Sequence, residues 1–169
     1  NAYGIDINSH AVSIAKENLA FRCNTKADIR TKIGDASNLN FIRDNSFDLI
    51  CTHPPYADII KYSQGIDGDL SLMPTEKFIR KMGNVAAEAY RVLKPGKKCA
   101  IMMGDIRKKG KVIPLGFRTM ERFLSDGFVL EEIIIKEQHN CRSTDYWRKQ
   151  NNNFLLLAHE YIFVFQKVK

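Results

Sequence analysis

Short apolar runs alternate with amphipathic stretches along the chain. Ala2 to Ile5 reads as a buried strand ending at Asp6, and Ser9 then offers an N-cap for a helix that places Val12, Ala15 and Leu19 on one face. A second short strand, around Arg30 to Ile33, ends at Gly34-Asp35. A third, Phe47 to Thr52, reads as continuous and apolar, as strands covered on both faces tend to be, and stops at His53-Pro54-Pro55-Tyr56. After a polar, glycine-containing loop from Gly65 to Asp69, Thr75 is expected to cap the longest helix, in which Phe78, Met82, Val85, Ala86, Ala89 and Leu93 recur at helical spacing. Lys94-Pro95-Gly96 should end it, because proline disfavours helical geometry in the residue before it and glycine supplies the turn into a strand from Cys99 to Met103. A further helix, about Leu115 to Ser125, leads through Asp126-Gly127 to a strand near Phe128 to Lys136. A polar segment from Glu137 to Asn153 and a last strand within Phe154 to Phe165 complete the pattern. Strands alternating with helices predict a largely parallel, three-layer α/β sheet.

Composition narrows this picture. With 169 residues, 44% of them hydrophobic, and no repeat or Pro/Gly/Ser linker, the chain is expected to form one domain over 1–169. The longest apolar runs, Phe154 to Ala158 and Tyr161 to Phe165, fall far short of the roughly 20 residues that cross a bilayer. No basic region followed by an apolar run opens the sequence, so a cytoplasmic location, away from membranes, is the default expectation. Cys23, Cys51, Cys99 and Cys141 lack the spacing of a zinc knuckle, and Cys51 is expected in the strand core. The excess of 26 Lys plus Arg over 19 Asp plus Glu gives +7, which suits a polyanionic partner. Its clusters lie in the second half of the chain, where each taken singly also reads as a solvated face.

The residues that carry chemistry follow the strands. In an open α/β sheet ligands bind beyond the carboxyl ends of the strands. Asp6, Asp35, the His53 to Tyr56 run and Gly104-Asp105 each come directly after a predicted strand, so four loops should meet on one edge. A carboxylate after a strand can take both hydroxyls of a ribose, a role that suits Asp6, while Asp35 could accept from an adenine amino group. An ordinary turn aspartate is the alternative for each. Pro54 and Pro55 fix their own φ and carry no N–H, so this stretch of backbone offers carbonyl oxygens only. Beside them, the Tyr56 ring could stack on a planar base, worth about 1–3 kcal/mol. A proline-rich turn with a packed tyrosine is the alternative. The segment from His139 to Asn153 interleaves Arg142, Tyr146, Arg148 and Lys149 with the sole tryptophan, Trp147. It could contact phosphates and stack on bases, or form a structured loop with Trp147 docked on the core.

Together these residues resemble the S-adenosylmethionine-dependent amino methyltransferases, above all the prokaryotic DNA methyltransferases acting on adenine N6 or cytosine N4. Asn1 to Asn8 looks like the family's second strand with its ribose-binding acid, and Gly34-Asp35-Ala36 like the loop against the cofactor adenine. His53-Pro54-Pro55-Tyr56 resembles the catalytic tetrapeptide, and Leu93-Lys94-Pro95-Gly96 the turn before strand five. Gly104 to Arg107 and the closing His159 to Phe165 are similar to later segments of such enzymes. The resemblance implies a Rossmann-like methyltransferase sandwich, a mostly parallel sheet with an antiparallel last strand. It implies S-adenosylmethionine as cofactor, held by Asp6, Ile7, Asp35 and Ala36, and methyl transfer by His53, Pro54, Pro55 and Tyr56. DNA, rather than RNA, is the implied partner, with Arg107, Arg142, Trp147, Arg148 and Lys149 as its contacts. An RNA guanine-N2 methyltransferase, a protein glutamine methyltransferase and a catalytically silent nucleic-acid or partner-binding subunit are the other readings.

Two departures stand out. The family normally carries Asp, Asn or Ser where this chain has His53, and an imidazole accepts a hydrogen bond through one nitrogen only while it is neutral. The resemblance also begins at the family's second strand, so the first strand and its glycine-rich loop are not matched. The slot between the strand ending at Asp6 and the one ending at Thr52 is therefore expected to be filled in one of three ways: by an upstream segment, by a strand of a second subunit, or by direct pairing of the two flanking strands.

Overall fold

The computed structural model describes residues 1–20, 27–138 and 154–168. Its elements run β1 (Ala2–Asp6), α1 (Ser9–Asn18), β2 (Ile29–Ile33), β3 (Phe47–Thr52), α2 (Thr75–Val92), β4 (Leu93–Met103), β5 (Ile106–Lys108), β6 (Lys111–Ile113), α3 (Leu115–Ser125), β7 (Phe128–Glu137) and β8 (His159–Lys167), with short 3-10 turns at Ala57–Ile59 and Leu70–Leu72. Among the described residues no helix is long and apolar enough to cross a membrane.

A four-stranded sheet in the order β3-β4-β8-β7 forms the centre. β3 runs parallel to β4, and β8 runs antiparallel to both β4 and β7. Three strands therefore share one direction and β8 alone opposes them, as the resemblance implies. Alternate residues of a strand share a face, so Tyr161, Phe163 and Phe165 of β8 line up beneath the helices, with Phe123 of α3 stacked 5.1 Å from Phe165. The apolar stripe of α2 supplies Phe78, Ile79, Met82 and Ala86 to the same core, and Ile101 and Met103 of β4 complete it. At the far end of β8, the Lys167 ammonium donates to the carbonyls of Tyr90 and Leu93 at 2.7 and 2.8 Å. It thereby satisfies backbone acceptors that the end of α2 leaves without helical partners.

Several expectations are corrected here. β1 and β2 pair in parallel as a sheet of their own, and β1 does not pair directly with β3. Side chains join the two sheets instead: Leu39, Ile42 and Val92 pack with Tyr3, Ile5, Phe47 and Ile50, and the Tyr3 and Phe47 rings stack 6.3 Å apart. A cleft of about 170 Å³ lies between the strands, lined by Tyr3 and Ile5 on one side and Phe47, Leu49 and Cys51 on the other. Of the three expected fillings, direct pairing of β1 with β3 is excluded, and among the described residues no strand occupies the slot, which is left as this side-chain-lined cleft.

As the edge of its sheet, β3 is not covered on both faces. Leu49 is 59% exposed and Cys51 is exposed rather than core, whereas Cys99 in the neighbouring strand is buried. Cys23 and Cys141 lie outside the described residues. The cap of α1 is Asn8, which accepts the His10 N–H at 2.9 Å, not Ser9, and α2 starts at Thr75 behind Pro74 without a side-chain cap. Leu19 is exposed, because α1 buries Val12 alone against a two-stranded sheet. β4 starts at Leu93 directly after the helix, with Gly96 at φ 72° inside it, and the last strand begins within the expected stretch at His159 but continues past Phe165 to Lys167.

Candidate active site

The four loops predicted to converge do so. One cavity of about 760 Å³ is lined by Asp6 and Ile7 after β1, Asp35 and Ala36 after β2, the whole His53 to Tyr56 run after β3, and Asp105 and Arg107 after β4. Asp6 is exposed, and its Oδ1 accepts the Asn8 N–H at 2.7 Å. Among the described residues this is its one side-chain hydrogen bond, so the turn role and a free second oxygen coexist. Asp35 is half-buried. Its Oδ1 accepts the Ser37 N–H at 2.8 Å and the Ser37 hydroxyl at 2.7 Å, and its Oδ2 meets the Lys81 ammonium at 3.0 Å. Burial alone would push the Asp35 carboxyl above its usual range, but the Ser37 donors and Lys81 outweigh it and hold it below.

The loop from Gly65 to Asp69, read from sequence as a polar connector, forms a wall of this cavity. Gly68 has φ +86°, and a Cβ there would come 3.0 Å from Ile7 Cδ1 and 3.2 Å from Asp35 Oδ2. Glycine is required both for the backbone and for the close approach. Buried Asp69 sets the loop's shape by accepting the Ser71 N–H at 2.7 Å and the Ser63 hydroxyl at 2.5 Å.

The tetrapeptide is anchored from an unexpected direction. Because β8 runs against β4, its first residues arrive at the end of the sheet where β3 and β4 finish, with Tyr161 opposite Met103 and Glu160 opposite Lys136 of β7. Glu160 is buried, and its Oε1 accepts the Tyr56 hydroxyl at 2.5 Å while its Oε2 meets the Lys136 ammonium at 2.5 Å. Burial opposes its charge, but hydrogen bonds from Lys136, Tyr56 and Gln138 prevail and hold Glu160 below the usual carboxylate range. Burial, then the hydrogen bond and charge of Glu160, push Tyr56 far above an ordinary phenol, so it stays a neutral donor. His53, about half exposed, places Nε2 3.1 Å from the Tyr56 oxygen and 3.8 Å from Glu160 Oε1.

The Tyr56 ring lies so close on Gly104 that a Cβ there would sit 3.0 Å from its Cε2. Immediately after Tyr56, buried Ala57 takes φ 51°, a left-handed conformation that is uncommon outside glycine and turns the chain sharply.

Sequence reading missed Glu160, Lys136 and Gly68. For Glu160 a signal existed: a carboxylate opening the apolar run Tyr161 to Phe165. Asp105 serves the fold as much as the cavity, since its Oδ1 accepts the Gly116 N–H in the first turn of α3 at 3.0 Å. Arg107 is half-buried and holds neighbouring chain, donating to the carbonyls of Gly110 at 2.8 Å and Leu155 at 2.9 Å while its guanidinium lies 3.9 Å over the Phe154 ring. Arg142, Trp147, Arg148 and Lys149 lie outside the described residues.

Known proteins resemble this chain in sequence and fold. A family model described as DNA methylase, N6_N4_Mtase, matches residues 47–169. The type II beta methyltransferase M.BslI of Bacillus sp. (strain NEB-606) is 28% identical over 148 residues, covering 76% of this chain and 15% of the relative. The type II methyltransferase M.MthZI of Methanothermobacter thermautotrophicus is 25% identical over 161 residues, covering 84% of this chain and 45% of the relative. The chain thus spans less than half the length of either. Among solved structures, TTHA0409 of Thermus thermophilus, a DNA modification methylase by name and complexed with S-adenosyl-L-methionine, superposes with a TM-score of 0.58 and 25% identity over 80% of this chain and 52% of that one. With well over half of its residues matched by that family model, the chain belongs to the N6_N4_Mtase family of DNA methylases.

Proposed function

We propose that this domain transfers a methyl group from S-adenosylmethionine to an exocyclic amino nitrogen of a base in DNA, adenine N6 or cytosine N4. The observation that carries the reading is the meeting of Asp6, Asp35 and the His53-Pro54-Pro55-Tyr56 run on one cavity. A volume of about 760 Å³ falls in the range of about 300–1,000 Å³ typical of cofactor and ligand sites. The donor set suits the cofactor: Asp6 retains an oxygen for a ribose hydroxyl, and Ile7 and Ala36 offer apolar surface beside Asp35. The likeness to TTHA0409, which was solved with S-adenosyl-L-methionine, supports that choice, and the net charge of +7 supports a polyanionic substrate.

S-adenosylmethionine supplies an electrophilic methyl group on sulfur. The chain's own residues then have positioning to do. The Pro54 carbonyl and His53 accept hydrogen bonds from the target amine and aim its lone pair. The Tyr56 ring, backed by Gly104, presents a face on which the base stacks. A base inside a duplex must first leave its stack, and the pocket's stacking and hydrogen bonds offset that cost. No covalent intermediate on the protein is needed, and exposed Cys51 on β3 takes no part.

The test is incubation of the protein with labelled S-adenosylmethionine and unmodified DNA or RNA, followed by nucleoside mass analysis. Methyl-N6-adenine or methyl-N4-cytosine is expected. Methyl-N2-guanine from RNA, or cofactor binding without transfer to either, would replace the reading with one of its rivals. By calorimetry, Asp6→Ala should weaken cofactor binding about tenfold to a hundredfold, the loss of a charged hydrogen bond of about 1.5–3 kcal/mol.

A further inference from the structure

We infer that Glu160 is a positioning residue which, acting through the Tyr56 hydroxyl, fixes the tautomer of His53, so that Nε2 carries the proton and Nδ1 is the acceptor offered to the target amine. The tautomer follows from geometry alone, whereas the role of Nδ1 rests on the methyltransferase reading.

Three contacts carry the argument. Glu160 Oε2 is taken by Lys136 at 2.5 Å, and Oε1 faces the Tyr56 oxygen at 2.5 Å. A carboxylate has acceptors only, so the proton on that second contact belongs to Tyr56. A phenol has a single proton. Once it is given to Glu160, the 3.1 Å contact between Tyr56 and His53 Nε2 can be a hydrogen bond only if Nε2–H is the donor and the phenol oxygen the acceptor. The carboxylate 3.8 Å beyond favours a proton on that same nitrogen. In a neutral imidazole the other nitrogen is then bare.

Held below the usual carboxylate range, Glu160 stays ionised and acceptor-only. His53 itself is about half exposed and lines the cavity, so Nδ1 belongs to a side chain that substrate can reach. The opposite tautomer would place a donor where the amine needs an acceptor. Unlike a carboxylate, which only accepts, a histidine needs a device to prevent that, and the Lys136-Glu160-Tyr56 chain, centred on buried Glu160, is one.

The direct test is a long-range proton–nitrogen correlation spectrum of protein labelled with nitrogen-15 histidine, at mildly alkaline pH. His53→Asn assigns the signal among the four histidines. The parent should show the Nε2–H pattern. Glu160→Gln, whose amide can donate to Tyr56 as well as accept, should give a mixture. So should Tyr56→Phe, which leaves the Glu160–Lys136 pair in place and guards against a variant that fails to fold. An Nδ1–H pattern in the parent, or an unchanged pattern in both variants, overturns the assignment.

The second arm is kinetic. Glu160→Gln should lower kcat by about tenfold to a hundredfold, the scale seen when an orienting hydrogen-bond partner is lost, with KM for S-adenosylmethionine unchanged. In a His53→Asn background, where an amide oxygen needs no tautomer control, the same change should cost a small fraction of that. An equal loss in both backgrounds would mean that Glu160 is merely structural. If the Nε2–H tautomer is seen but no variant transfers methyl groups, the tautomer stands and the amine role falls with the methyltransferase reading.

Discussion

Between β1 and β2 the parallel ladder is five residues long, and most of its side chains are exposed. Between β4 and β8, Lys98 to Met103 pair with Gln166 to Tyr161, and one face is fully buried at Cys99, Ile101, Phe163 and Phe165. Helix α2 serves both regions by different means. Its apolar stripe enters the large core. Another face carries Lys81, Glu88 and Arg91, at spacings of seven and three that keep them neighbours on a helix. Arg91 donates to the carbonyls of Leu39 at 2.8 Å and Ile42 at 2.9 Å, Glu88 accepts the Leu39 N–H, and Lys81 meets Asp35. Apolar burial therefore holds the second half of the chain, while hydrogen bonds, charge and one small cluster hold the first. The candidate site straddles the two, with Asp6 and Asp35 on the lightly held side and His53, Tyr56 and Glu160 on the dense one.

The largest loss of stability is expected in the core. Phe163→Ala removes a fully buried ring and should cost about 3–5 kcal/mol, seen as one cooperative loss of structure in denaturant titration. Arg91→Ala should cost less, about 1.5–3 kcal/mol, and locally. Amide exchange should accelerate in β1, β2 and residues 39–46 and stay unchanged in β4 and β8. A uniform acceleration would show that the two regions open together.

Acid should act on the same tethers. Asp35 and Glu88, the latter chiefly through its hydrogen bond to Arg91, both ionise below their usual range. A carboxylate depressed in the folded state contributes stability that is complete above its unfolded value, about 4, and is lost as pH falls through the lower folded value. Exchange protection in the first half should therefore decline below about pH 4 before that of β4 and β8, and Lys81→Met should weaken this dependence. The smallest effect belongs to Glu76→Gln at the exposed pair with Arg118. Its thermal midpoint should fall only slightly, because a pair at the surface contributes little even when, as here, two guanidinium nitrogens meet both carboxylate oxygens.

What the sequence determined by itself was local. The strand Phe47–Thr52 and the helix Leu115–Ser125 occupy the residues that their patterns predict, and the two prolines make His53 to Tyr56 recognisable wherever the chain places them. The convergence of four loops was also legible, since the strand-then-acid pattern repeats and a parallel sheet collects such ends on one edge. Tertiary structure decided the rest. Cys51 and Leu49 have strand composition, yet their exposure depends on which strand lies beside β3, and a pattern of two cannot say so. The Gly65–Asp69 loop became a wall only by folding onto Ile7 and Asp35. Glu160 stands 104 residues from Tyr56 and meets it because β8 enters the sheet in reverse. The resemblance implied that direction but not this meeting, which depends on the register of β8 against β4 and β7.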